Sequence, residues 1–94
     1  MLQRVVLFRK KAEVERPDFD QKILALESLK SQIDEIQSWA VSVTNEAGTE
    51  WDAILIGDFR NAEEMQRYAD HPAHLEVANA IGDVADFALF DREY

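Results

Sequence analysis

Four stretches of this 94-residue chain have the period of strands or the composition of buried ones, and between them the apolar positions take helical spacing. Arg4 to Phe8 is a short run of β-branched and aromatic residues, as in a strand covered on both sides. Pro17 suits the first turn of a helix, and Phe19, Ile23, Leu26, Leu29 or Lys30, and Ile33 then follow helical spacing. Ser38 to Thr44 sets Trp39, Val41 and Val43 against Ala40, Ser42 and Thr44. Asn45 to Thr49 supplies a turn and Trp51 to Phe59 the next strand, which makes a hairpin. Asn61 followed by Glu64 is a capping arrangement for a second helix through Met65, Tyr68 and Ala69, with Glu63 and Glu64 near its positive end. Pro72 interrupts that helix, a shorter piece runs from about Ala73 to Ile81, and Gly82 is suited to end it. Val84 to Phe90 is the last strand. The order predicts an α+β fold, a ferredoxin-like βαββαβ sandwich.

Each strand is apolar on both faces. Val5 and Leu7 oppose Val6 and Phe8; Ile54 and Ile56 oppose Trp51, Ala53 and Leu55; Phe87 and Leu89 oppose Ala88 and Phe90. One helical layer covers one face of a sheet. Leaving about two outward apolar side chains on each of three strands in water, at roughly 1.5 to 3 kcal/mol each, forgoes on the order of 10 kcal/mol. That equals the whole stability of a small domain, about 5 to 15 kcal/mol. The expectation is a homodimer that packs sheet against sheet into an α/β barrel.

The composition narrows the classes of function. At 47% apolar residues the chain is globular, and residues 1–94 read as one domain. With no cysteine there is no disulfide, thiolate metal site or cysteine nucleophile. The apolar run in MLQRVVLFRKK is too short for a signal peptide and no run approaches a membrane span, so a cytoplasmic location and no membrane partner are expected. A net charge of −9 argues against nucleic acid as a partner. Arg9, Lys10 and Lys11 read as a solvated strand end answered by Glu13 and Glu15.

Tyr68-Ala69-Asp70-His71-Pro72-Ala73-His74 holds both histidines and one of the two tyrosines. Histidine is readily poised as an acid or base near neutral pH, and a phenol can donate to an oxyanion. Tyr68 and His71 share a helix face if the helix lasts that far, while Pro72 pushes His71 out of the helical region, as for a cap or junction residue. His74 reads either as a half-buried structural histidine or as a base, and Tyr68 as a core-edge aromatic or a hydrogen-bonding acid. A metal site on His71 and His74 lacks a third ligand, and there is no phosphate-cradling glycine loop or serine nucleophile motif, so no metal and no cofactor are expected.

The strands RVVLFRKK, WDAILIGDF and DFALFDREY, and above all the junction YADHPAH, resemble the stress-responsive α/β-barrel (Dabb) family over essentially the whole chain. The family's members often show an H-x-V-L-F-like first strand and a Y-x-x-H-P-x-H junction. The resemblance implies a ferredoxin-like protomer that pairs into a barrel with an internal cavity. It also brings in a plant polyketide cyclase that closes a ring by aldol chemistry; its base would fall on His74 and its hydrogen-bonding acid on Tyr68. The usual histidine of the first strand is replaced here by Arg4, or by Gln3 if the register slips, and arginine cannot serve as a base although it can anchor a carboxylate.

Three functions follow as expectations. The first is a dimeric, stress-related module that binds a small apolar or aromatic molecule at the second sheet face, with Arg4, His71, Trp39 and Ile54 as ligand contacts. The second is a polyketide cyclase-like or cofactor-free oxygenase-like enzyme using His74 and Tyr68 as catalytic residues. The third is a structural protein with a filled barrel.

Overall fold

The computed structural model of the chain describes residues 1–44, 46 and 48–94. Its strands are β1 (Leu2–Lys10), β2 (Ser38–Val43), β3 (Ala53–Phe59) and β4 (Ala85–Glu93), and its helices α1 (Arg16–Leu24), α2 (Leu29–Gln32), α3 (Ala62–Asp70) and α4 (Pro72–Gly82). The strands form one sheet in the order β2-β3-β1-β4 with every neighbouring pair antiparallel, the ferredoxin-like arrangement. Of the predicted hairpin turn, Asn45 and Ala47 lie outside the described residues; Gly48 has φ 90°, a backbone conformation that suits glycine.

Local chemistry sets most of the boundaries. Pro17 lies in the first turn of α1, and a 3₁₀ turn over Ala25–Ser28 carries α1 into α2. Near that turn the Ser28 and Ser31 hydroxyls donate to the carbonyls three residues back, an alternative to regular helical bonding. The Asn61 side chain accepts from the Glu64 N–H at 2.8 Å and caps α3 as expected. β3 starts at Ala53 rather than Trp51, although the Asp52 N–H still donates to the Phe8 carbonyl at 2.7 Å and the Thr44 N–H to the Asp52 carbonyl at 2.9 Å; the Asp52 carboxylate accepts from the Lys10 N–H at 2.8 Å and from Arg16 at 3.2 Å. β4 runs on to Glu93, beyond the predicted Phe90, because Asp91, Arg92 and Glu93 pair with Arg4, Gln3 and Leu2. Gly82 is the last residue of α4 and not a left-handed cap. The basic strand end also finds different partners from those predicted: Arg9 meets Glu50 at 3.5 Å, the Lys10 ammonium donates to the Val14 carbonyl and the Lys11 ammonium to that of Gly82.

The helices cover one face of the sheet. Phe19, Ile23, Leu26, Leu29 and Ile33 are buried there against Val6, Phe8, Leu55 and Phe59, so the predicted helical stripe is the helix side of the core. Cover stops short of the edge strand: Phe87 and Leu89 share the parity of the buried Phe8 and Val6 they pair with, yet are 63% and 47% exposed. The opposite face of the sheet has no layer over it among the described residues. Two largely apolar rows cross it, Ala40–Ile56–Val5–Phe90 and, with Ser42 at its β2 end, Ser42–Ile54–Leu7–Ala88. One end is closed by a polar row, in which the Asp58 carboxylate accepts from Gln3 at 3.1 Å, from the Ser38 hydroxyl and from the Tyr94 phenol at 2.5 Å, while Arg92 donates to Gln3 at 2.9 Å.

Candidate functional site

The α3–α4 junction is built by Pro72. It has no N–H and forces the preceding residue out of the helical region, and His71 accordingly takes φ −65°, ψ 134°. α3 ends at Asp70 and α4 begins at Pro72, so His71 becomes the N-cap of α4, its Nδ1 accepting from the Ala73 N–H at 3.1 Å. The helix does not last long enough for Tyr68 and His71 to share a face. Instead the turn folds the first residues of α4 back on the last turn of α3, and the ring beside Tyr68 is that of His74, with centroids 4.4 Å apart.

His74 is held through Nδ1, which lies 2.8 Å from the Ala69 carbonyl oxygen. A carbonyl only accepts, so Nδ1 carries the proton and the neutral ring keeps its lone pair on Nε2. Burial pushes the His74 pKa below the usual 6.5; the Ala69 bond opposes this, and the positive charge of Arg4 adds to it. The imidazole is therefore neutral at pH 7. Burial raises the Tyr68 pKa far above the ordinary phenol value, with Arg4 acting weakly the other way, so the hydroxyl stays a donor. Together they place a free imidazole lone pair next to a protonated phenol, the pairing needed to move a proton and stabilise the resulting oxyanion.

The lowered His74 pKa has a cost in acid. The unfolded chain binds a proton near pH 6.5 and the folded one only at lower pH, so the stability contributed by neutral His74 is complete above that value and declines as pH falls toward the folded pKa. The urea midpoint should therefore drop between about pH 7.5 and 5.5, and His74→Phe should drop less. An equal loss in the variant would show that His74 is not the group that titrates.

Tyr68 and His74 border a cavity of about 210 Å³ between the sheet and α4. Val6 and Phe8 of β1, Leu55 of β3, and Phe87 and Leu89 of β4 line the sheet side. Leu26, Ala78, Ile81 and Gly82 line the helix side, and Arg4 is the remaining polar contributor. Two of the exposed β4 side chains, Phe87 and Leu89, belong to this lining, where helical cover runs out. Arg4 is pinned by Asp91, Nε to Oδ1 at 2.9 Å and Nη2 to Oδ2 at 3.0 Å.

Three of the expected residues, Arg4, Tyr68 and His74, thus meet at one cavity, and it lies under the helices, not on the second sheet face. The other expected ligand contacts do not line it. His71 is turned to its capping role, and Ile54 lies on the outer face because its position in β3 has the opposite parity to Leu55. Trp39 stands behind the site: its indole N–H donates to the Leu26 carbonyl at 2.8 Å and its ring meets Tyr68 edge-on at 5.5 Å. Asp91 escaped notice in the sequence, since its pairing with Arg4 spans 87 positions; its one signal is that it shares the parity of Phe87 and Leu89. No group of three or more His, Cys, Asp or Glu among the described residues is placed to hold a metal ion.

Several solved structures share this architecture. A dimeric ferredoxin-like protein of unknown function from Bacteroides fragilis superposes with a TM-score of 0.87 at 23% identity, covering 99% of this chain and 95% of its own. A second dimeric ferredoxin-like protein, from Thermobifida fusca, gives 0.85 at 24% identity over 99% and 90%. The hydroxynitrile lyase of Passiflora edulis gives 0.81 at 15% identity over 97% and 90%. At these identities the likeness is one of fold. Among curated proteins no sequence matches the chain. The sequence profile of the Stress responsive A/B Barrel Domain, by contrast, matches residues 2–94, the span that holds the sheet, the YADHPAH junction and the cavity, and the chain belongs to that family, Dabb.

Proposed function

We propose that this chain, a single Dabb domain over residues 1–94, works as a cytoplasmic homodimer that binds a small apolar or aromatic molecule in the cavity under α4, within a stress response as the family's description suggests. The observation that carries the reading is the cavity itself. It is mostly apolar, and among the described residues the polar side chains bordering it are Arg4, Tyr68 and His74. Its size of about 210 Å³ suits a one-ring compound, since an apolar cavity of about 150 Å³ holds benzene. The homodimer rests on the two apolar rows of the outer sheet face and on the dimeric state described for similar folds. No helix among the described residues is long and apolar enough to cross a membrane, and the reading calls for no nucleic acid, metal or cofactor.

Titration with p-cresol tests it. Methyl resonances of Val6, Ile81 and Leu89 should shift saturably while those of Val5, Leu7 and Ile56 on the outer face stay in place. Unmoved cavity methyls would refute the binding reading.

A second reading, an enzyme of the cyclase kind, is favoured by the bond from His74 Nδ1 to Ala69, which leaves Nε2 as the one basic atom beside the Tyr68 phenol. Nε2 would take a proton from a carbon next to a carbonyl. The C–H electron pair would pass to the carbonyl oxygen, and the Tyr68 hydroxyl would donate to that oxyanion. Deuterium uptake from heavy water into 1-phenyl-1,3-butanedione reports this step. The protein should catalyse it, and His74→Ala should slow it by about a hundredfold or more, the range of general-base catalysis. Equal uptake with the variant would remove His74 from the chemistry.

A further inference from the structure

We infer, building on the binding reading above, that the cavity selects molecules that carry a carboxylate, and that the edge of the Arg4 guanidinium not used by Asp91 is what holds it.

A guanidinium has five N–H donors arranged as two forks, one on the Nε/Nη2 side and one across Nη1 and Nη2. Asp91 occupies the first with the bonds at 2.9 and 3.0 Å. Among the described residues no hydrogen bond reaches Arg4 Nη1, and Arg4 borders the cavity. The second fork matches the spacing of two carboxylate oxygens, and among the described residues no other group in the lining does so. The Tyr68 phenol can add a donor to the same head group. The rest of the lining offers only apolar surface, which suits the body of an aromatic or alicyclic acid.

Asp91 prepares the fork as well as competing with a ligand for it. Its two bonds fix the plane of the guanidinium, so little side-chain freedom is left to lose when an acid arrives. Its own charge is partly spent in water, as the side chain is 28% exposed. A phosphate dianion fits less well: it would bring two charges to one cation that is already paired, with apolar walls around it. A neutral amide keeps the shape of the acid and loses the charge-assisted double bond.

The probes are 4-methylbenzoate and its neutral isostere 4-methylbenzamide, titrated at about pH 7.5 and followed by the cavity methyl shifts. The carboxylate should bind at least about tenfold tighter, and the double substitution Arg4→Gln with Asp91→Asn, which removes both charges together, should bring the two probes level. Equal affinity of the wild-type protein for acid and amide would overturn the inference while leaving the cavity a binding site, and so would a preference that survives in the double variant. Failure of both probes and of p-cresol would overturn the binding reading with it. The wild-type comparison decides the matter even where the double variant does not fold, and Arg4→Lys, which keeps the charge and lacks the fork, should show a reduced preference.

Discussion

Ile56→Asp should convert the proposed dimer into a monomer. Ile56 sits in the middle of the outer face, between Ala40 of β2 and Val5 of β1, with Phe90 completing the row. A second copy packed on that face would enclose the new carboxylate among Val5, Ile54 and Phe90 with no cation within the two apolar rows. An unpaired charge buried in this way costs about 3 to 5 kcal/mol, which at about 1.4 kcal/mol per tenfold raises the dissociation constant by roughly two to three and a half orders of magnitude. The fold of the single chain should survive, because the position faces away from the helix-side core. Sedimentation velocity over a dilution series reads the outcome. A variant that sediments like the wild type at every concentration would refute the sheet face as the dimer contact, and a wild type that is monomeric throughout would refute the dimer.

Gly57→Ala should be the most damaging single-methyl change in the core. A Cβ at this position in β3 would stand 2.5 Å from Trp39 Cζ3 and 2.6 Å from Cε3, inside any tolerable contact. The indole has little room to move: its N–H is bonded to the Leu26 carbonyl, and its ring meets Tyr68 at 5.5 Å and Phe59 at 6.5 Å, both edge-on. Overpacking against so fixed a neighbour should cost about 3 kcal/mol, the upper end of the usual range. For a domain of this size that lowers Tm by about 12 °C or more. Displacement of Trp39 would press on Tyr68 and hence on the Tyr68–His74 pair, so p-cresol binding should weaken along with stability. A thermal melt by circular dichroism within about 2 °C of wild type would show that the sheet yields at this point.

The sequence-legible parts are those that depend on near neighbours. The alternation of Ser38 to Thr44, the stripe from Phe19 to Ile33, the Asn61 cap and the Pro72 break are all written within a few residues of where they act, and the structure has each of them. The family resemblance rests on such local strings too. What stayed hidden depends on register and on how far a helix reaches. Arg4 and Asp91 meet because two strands pair in one particular offset, and no single stretch of residues records that offset. The apolar second face of the strands, with a polar cluster at one edge, pointed to a pocket on the outer face. Phe87 and Leu89 are instead uncovered on the helix side, where the layer of helices ends before the edge of the sheet, and the cavity opens there. Pro72 marks His71 as a cap or junction residue in the sequence itself, whereas only the turn into α4 shows that the ring set beside Tyr68 is that of His74.

In the proposed dimer, the row of Ser38, Asp58, Gln3 and Arg92 bears on how a copy of this chain tells its own kind from a cousin. A uniformly oily surface would accept any other oily surface, in any offset. Here a sister molecule that slid along the strands, or a paralogue with different residues at that border, would lay methyl groups over a carboxylate and a guanidinium that had lost their water. Mismatches of that kind discriminate by repulsion, and these four side chains set such a border at one margin of the face.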